Sequence, residues 1–245
     1  KIALTTTDSS GANSNATIVN TTAVDLNTSS VKGNLSATAT TGNLIDSGTV
    51  TATGSGTFIT LADNAGIDLG TLAVTGAVAL TTTDSSGADS NATIVNASAL
   101  TLAASTVKGN LSATATTGNL TDSGTVTATG SGTFVTSADD ADIDLGTLAV
   151  TGAIALTTTD SAGNNSDASI VNATAVNLAA SSVKGNLLAT ATTGDLTDSG
   201  AVTVAGTAGF TTLADDAVIN LDTLAVAGKI ALTTTDSSGA NSNAT

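Results

Sequence analysis

The sequence predicts an all-β protein, a parallel β-helix, on three observations. It is a tandem repeat: Asp8, Asp84, Asp160 and Asp236 stand 76 residues apart, and residues 1–76 and 77–152 are identical at 61 of 76 positions. Short runs of alternating apolar and polar residues recur between Gly, Asn and Asp, the pattern of half-buried strands. No i, i+3, i+4 apolar spacing is sustained, and the helix formers Glu, Arg, Gln and Met are absent. The chain of 245 residues therefore reads as one continuous solenoid of units 1–76, 77–152 and 153–228, with a partial unit at 229–245.

Taken in order, "NLSATA" (34–39), "TVTATG" (49–54), "TLAVTG" (71–76), "AVALTTT" (77–83) and "ALTLAA" (99–104) are the strand candidates. A β-helix requires inward apolar residues of successive coils to lie over one another. Three faces meet that demand. On the first, Leu35, Phe58 and Val78 are expected to stack, followed by Ala37, Thr60 and Leu80. On the second, Leu44, Ile67 and Ile94 line up. The third carries Val50, Leu72 and Leu100, then Ala52, Val74 and Leu102. Later units repeat this as Leu111, Phe134 and Ile154 on the first face and Val126, Leu148 and Val176 on the third. The spacing predicts about three coils per repeat, of 23, 20 and 33 residues counted from Leu35 through Phe58 and Val78 to Leu111. Four equal coils would put Gly54 beneath Leu35 and lose the register. The longest coil holds "TDSSGADSNA" (83–92), which lacks alternation and is expected to bulge as a polar loop. One coil alone cannot repay the entropy of ordering it, so stability belongs to the array. Lys1 falls in mid-pattern and no capping segment is visible, so the chain is expected to be cut from something longer.

Composition removes whole classes of function. The net charge of −15, from 20 acidic against 5 basic residues, opposes binding to nucleic acid or to an anionic membrane surface. "LAVTGAVAL" (72–80) is too short and too interrupted to span a bilayer, so no membrane insertion is expected in this segment. His, Cys and Arg are absent, which removes the imidazole base, the thiolate and the bidentate anion clamp. The chain is expected not to be an enzyme, with no catalytic residue, cofactor or metal assigned.

Several local features compete with that reading. In "DDADID", Asp140, Asp142 and Asp144 alternate, and the last two are expected to share an outward face, an arrangement that could suit calcium. Their counterparts are Asn64, Gly66 and Asp68 in the first unit and Asp216, Val218 and Asn220 in the third, which favours a solvated acidic patch. The loop Asp84–Asn91, with sisters Asp8–Asn15 and Asp160–Asp167, reads as a turn, with a contact surface or a weak cation site as the alternatives. "TGSGTF" (53–58) lacks the third glycine of a dinucleotide fingerprint and the lysine of a phosphate loop, and reads as a turn. Lys32, Lys108 and Lys184 recur near a corner as solvated charges, and the sequons at Asn15 and Asn91 are expected by chance in so Asn- and Thr-rich a chain. An ice-binding or calcium-binding solenoid is the alternative reading. Yet the rank Thr49, Thr51 and Thr53 is followed by Thr71, Ala73 and Thr75 and then by Ala99, Thr101 and Ala103, and in the first unit the last rank is Ala23, Asp25 and Asn27.

"VKGNLSATATTGNLTDSGTVTATGSGTFVT" (107–136) and "GDLTDSGAVTVAGTAGFTT" (194–212) resemble the repeat region of filamentous-haemagglutinin-like adhesins, giant bacterial surface proteins. The resemblance covers essentially the whole chain and implies a right-handed parallel β-helix, the shaft of a secreted, extracellular fibre at the bacterial cell surface. The coils here are longer and less even than that family's best-known repeats. The expected function is structural: to hold an adhesive tip away from the cell or to bundle. Its partners would be like filaments or a host or neighbouring cell surface, by end-to-end or lateral self-association.

Overall fold

The structure, a computed structural model, describes residues 1–8, 14–85, 89–161, 163, 165–235 and 243–245. Its first unit contains β1 (Ala16–Asn20), β2 (Val24–Leu26), β3 (Ser29–Val31), β4 (Leu35–Ala39), β5 (Leu44–Asp46), β6 (Val50–Ala52), β7 (Gly56–Thr60), β8 (Ile67–Val74) and β9 (Val78–Thr81). The strands pair in parallel and wind into a solenoid of about ten turns, with no helix among the described residues. In this unit β1, β4, β7 and β9 are straight strands side by side in a first sheet. The second sheet receives the bent half of each turn: β2 with β3, β5 with β6, then β8, which runs through the bend as one strand.

Alternation builds the core. Leu35, Ala37 and Ala39 of β4 point inward and are buried, whereas Ser36 and Thr38 between them face out. Large and small residues interleave along the axis, since Ala37 pairs with Phe58 and Phe58 with Leu80. The expected first face is therefore offset by two residues. Leu35 lies beside Gly56, which lies beside Val78, and Ala39 lies beside Thr60. Gly56 is a core position without a side chain, and the third unit keeps the same register with Ala208 in its place. The Phe58 ring folds over it, and a Cβ at Gly56 would stand 2.8 Å from Phe58 Cε2. A slip of two keeps every side chain on its side of the sheet, so all the residues named for this face are buried as expected.

On the other faces Leu44 pairs with Ile67, Val50 with Leu72, Ala52 with Val74 and Val126 with Leu148, as the spacing predicts. Ile94 belongs to the same stack as Leu44 and Ile67, two residues along: Ala92 pairs with Ile67 and Ile94 with Leu69. The expected continuation to Leu100 and Leu102 fails. These residues lie in the first sheet, where Leu100 pairs with Leu120 and Leu102 with Val78. Val176 likewise pairs with Leu196 and not with Leu148.

The reason is a count of crossings. Between the first and second copies of the repeat the chain makes seven passes, alternating between the sheets: β1, β2–β3, β4, β5–β6, β7, β8 and β9. Seven is odd, so β10 (Ala92–Asn96), the copy of β1, falls in the second sheet, and the third copy, Ala168–Asn172, returns to the first. One unit is three and a half turns, not three, and its successor is turned by half a revolution. The expected coil of 33 residues from Val78 to Leu111 is really one turn and a half, because Val78 pairs with Leu102 and Leu111 lies across the core in the other sheet.

Candidate functional site

At each half-revolution a straight strand must lie on a bent one, and a bent one on a straight one. Buried polar side chains make both joins. Where β10 covers β8, the pairing slips between Ile94 and Asn96. The Asn96 side chain, fully buried, then takes the place of a backbone segment. Its Oδ1 accepts from Val74 N at 2.9 Å, and its Nδ2 donates to Val74 O at 3.0 Å and Ala99 O at 2.7 Å. Asn172 repeats this with Val150 N, Val150 O and Ala175 O. Where the bent pair Leu100–Leu102 and Ser105–Val107 covers β9, Ser105 Oγ accepts from Leu80 N at 3.0 Å and donates to Ala103 O at 2.8 Å. Ser181 does the same for Leu156 N and Ala179 O. Their polarity hides these residues among the apolar inward positions of the sequence pattern. The signal was there: Asn96 stands two residues after Ile94, on the inward side of a strand.

The corners are tied from turn to turn. Asp46 accepts from Gly70 N at 2.9 Å, Thr71 N at 2.8 Å and Thr71 Oγ1 at 3.0 Å. Asp122 and Asp198 hold the same positions over Thr147 and Thr223. Burial pushes the Asp198 carboxyl up, but hydrogen bonds from the Thr223 hydroxyl and the Thr223 and Asp222 N–H groups outweigh it and hold it below its ordinary value of 3.8. At another corner Asn15 Oδ1 accepts from Asn34 N at 2.7 Å, and Asn34 Oδ1 accepts from Ser55 N at 2.8 Å, a ladder of side-chain caps. Gly33, Gly54 and Gly76 pile up beside it, Gly54 N donating to Gly33 O and Gly76 N to Gly54 O at 2.9 Å each. A Cβ on Gly76 would stand 2.7 Å from the Gly54 carbonyl carbon, so only glycine fits this close approach.

The predicted polar loop leaves between β9 and β10; residues 86–88, like 9–13, 162 and 164 in its sisters, lie outside the described residues. Its neck is closed by hydrogen bonds. Thr82 Oγ1 donates to Ser90 O at 2.8 Å and accepts from Lys108 N at 2.8 Å, and Ser90 Oγ donates to Thr83 O at 3.0 Å. Thr6 and Thr158 repeat the arrangement with Ser14 and Lys32, and with Ser166 and Lys184. Below the loop, Asp63 accepts from both the N–H and the hydroxyl of Ser85, and Asp139 from those of Ser161. Because units turn by half a revolution, the loops leave opposite edges of the shaft in alternate units.

Of the three aspartates of "DDADID", the structure sets Asp140 apart. Asp140 occupies a left-handed turn with φ 56°, as do Asn64 and Asp216. Asp142 sits at a bend, where its Oδ1 accepts from Asp167 N at 2.8 Å. Asp144 faces outward on the strand Ile143–Val150. Asp142 and Asp144 both lie on the outward side of the chain, flanking the buried Ile143, and Asp142 is engaged by Asp167 N. No group of three or more potential metal-ligating His, Cys, Asp or Glu side chains occurs among the described residues. In "TGSGTF" Gly54 belongs to the glycine pile and Gly56 opens β7, so the segment is a corner leading into a core strand rather than a turn alone. Asn15 and Asn91, the sequon residues, are caps whose Oδ1 atoms accept from the turn above. The threonine rank is broken in space as well as in sequence. Thr51 pairs with Ala73, Thr71 spends its hydroxyl on Asp46 and Gly48 O, and Thr101 lies in the other sheet with its Oγ1 3.0 Å from that of Thr121.

These features define a parallel β-solenoid whose polar side chains are directed at joining its own turns. The chain belongs to the family described as Repeats of unknown function (DUF5649), which it matches over residues 13–60, 89–145 and 163–225. No curated protein and no solved structure matches it.

Proposed function

We propose that this chain is shaft: a segment of a secreted filament or adhesin at the bacterial cell surface that spaces a contacting tip from the cell or bundles with its like. The observation that carries the reading is the single continuous core. It runs from Val24 to Leu221 through three units of repeat without a change of architecture, while the polar inventory is spent on inter-turn bonds. Such a body grows by adding units, and we read it as non-enzymatic. A right-handed coil accords with the strong preference of parallel crossovers for that hand.

Length is the test. At ~4.8 Å per turn, each added 76-residue unit should lengthen a rod by about 17 Å at constant cross-section, measurable by small-angle scattering on chains of three, four and five units. A radius of gyration that grew as for a compact globule would defeat the shaft reading. Labelling of intact cells with antibody against the repeat should decorate the exterior. Labelling only after permeabilisation would defeat the surface assignment while leaving the rod intact.

A further inference from the structure

The third unit departs from its sisters at several outward positions, among them the adjoining Leu188 and Gly209. Where the first two units have Ser36 beside Thr57 and Ser112 beside Thr133, the third has Leu188 beside Gly209. The two changes depend on each other. Leu188 Cδ1 would stand 3.0 Å from a Cβ on Gly209, so the leucine lies in space that a threonine would occupy. Leu188 nevertheless stays 49% exposed. It borders a shallow groove of about 400 Å³ that also takes in Ser169, Gly209 and Ala231, with Asp167 and Lys229 at the margin. Most other exposed large apolar residues lie in the first or last strands, such as Val19, Ile230 and Leu232, or at turns, such as Leu61 and Leu213.

We propose that this panel is a self-docking surface whose occupant is a second copy of the chain. Leu188 and Gly209 are direct neighbours in adjoining strands. A two-fold axis lying between the facing sheets, parallel to the strands and midway between those of Leu188 and Gly209, sets Leu188 of each copy over Gly209 of the other, and Ser169 of each over Ala231 of the other. This is the reciprocal geometry of an isologous contact. The same axis sets Asp167 of each copy over Lys229 of the other and Val171 over Thr233, so the charges at the margin are complementary and neither carboxylate falls opposite another. Four straight strands, ~4.8 Å apart and ~17 Å long, give about 300 Å² per copy, below the ~800 Å² per partner of a standard stable complex. A single contact is therefore weak and reversible, and filaments lying side by side multiply it. The purpose of the contact rests on the shaft reading; its geometry does not.

The double substitution Leu188→Ser with Gly209→Thr installs the residues of the sister units, so it keeps the fold. Sedimentation of the purified chain up to roughly millimolar concentration should show dimerisation that strengthens with salt, as repulsion between copies of charge −15 is screened. The double variant should weaken it at least about tenfold, because two buried leucines are lost per dimer. Leu213→Ser, which removes another exposed leucine in favour of the residue at Ser137, should leave it unchanged. A wild-type chain that stays monomeric, a double variant that still dimerises, or loss of dimerisation in Leu213→Ser overturns the proposal. None of these results changes the rod dimensions on which the shaft reading depends.

Discussion

Between Leu35 and Thr81 straight strands lie on straight strands, and the backbones pair residue by residue without interruption. Between Ile67 and Asn96 a straight strand lies on a bent one, and the pairing slips. In the first region apolar side chains suffice, because each backbone N–H and C=O meets its equivalent one turn away. In the second the backbones cannot match, and Asn96 lends its amide to Val74 in place of the missing peptide. Repetition of one geometry needs only packing; a change of geometry needs hydrogen bonds carried by side chains.

Substitutions can sharpen that contrast. The largest effect is expected in the uniform region: Phe58→Ala removes a fully buried ring that also fills the place of Gly56, at a cost of about 3–5 kcal/mol, read as a lowered urea midpoint. Asn96→Leu keeps the volume roughly constant but strands the buried Val74 N–H, at a cost of about 2–4 kcal/mol. Its signature is local. Hydrogen exchange should accelerate at Val74 and its neighbours while the amides of β4 and β7 stay protected; uniform acceleration across the unit would deny the side chain its special role. The smallest effect is a matter of pH. The folded Asp198 carboxyl titrates below 3.8, so the unfolded chain takes up its proton first as pH falls. Its stabilisation is present above the unfolded value and is lost as pH drops through the folded one. Asp198→Asn should therefore flatten the acid limb of a stability profile below about pH 4 and leave its slope near neutrality unaltered. An unchanged acid limb would show that the bonds to Thr223 do not bear on stability.

Much of this was legible in the sequence, and the rest was hidden for identifiable reasons. Alternation placed the inward residues of every predicted strand, and Leu44 over Ile67 and Val50 over Leu72 followed from spacing alone. The second and third faces read from spacing turn out to be the two legs of the bent half of each turn. The offset between Leu35 and Phe58 was not, because a glycine in a core position looks like a turn until the ring that covers it is seen. The half-revolution was concealed more deeply. It depends on the parity of the passes between sheets, which no single strand encodes, and its markers, Asn96 and Ser105, are polar residues in a core. The self-docking panel depends on residues 188 and 209, which are 21 positions apart and become neighbours only after one turn.

Near-identical copies invite unequal recombination, and the odd number of passes gives such events a second outcome besides a change in size. Gain or loss of one copy would leave everything distal to it looking the opposite way, whereas gain or loss of two would restore the original bearing. A population of such chains would thus be sorted by copy-number parity into two orientational classes, the even ones in phase with their ancestor and the odd ones reversed.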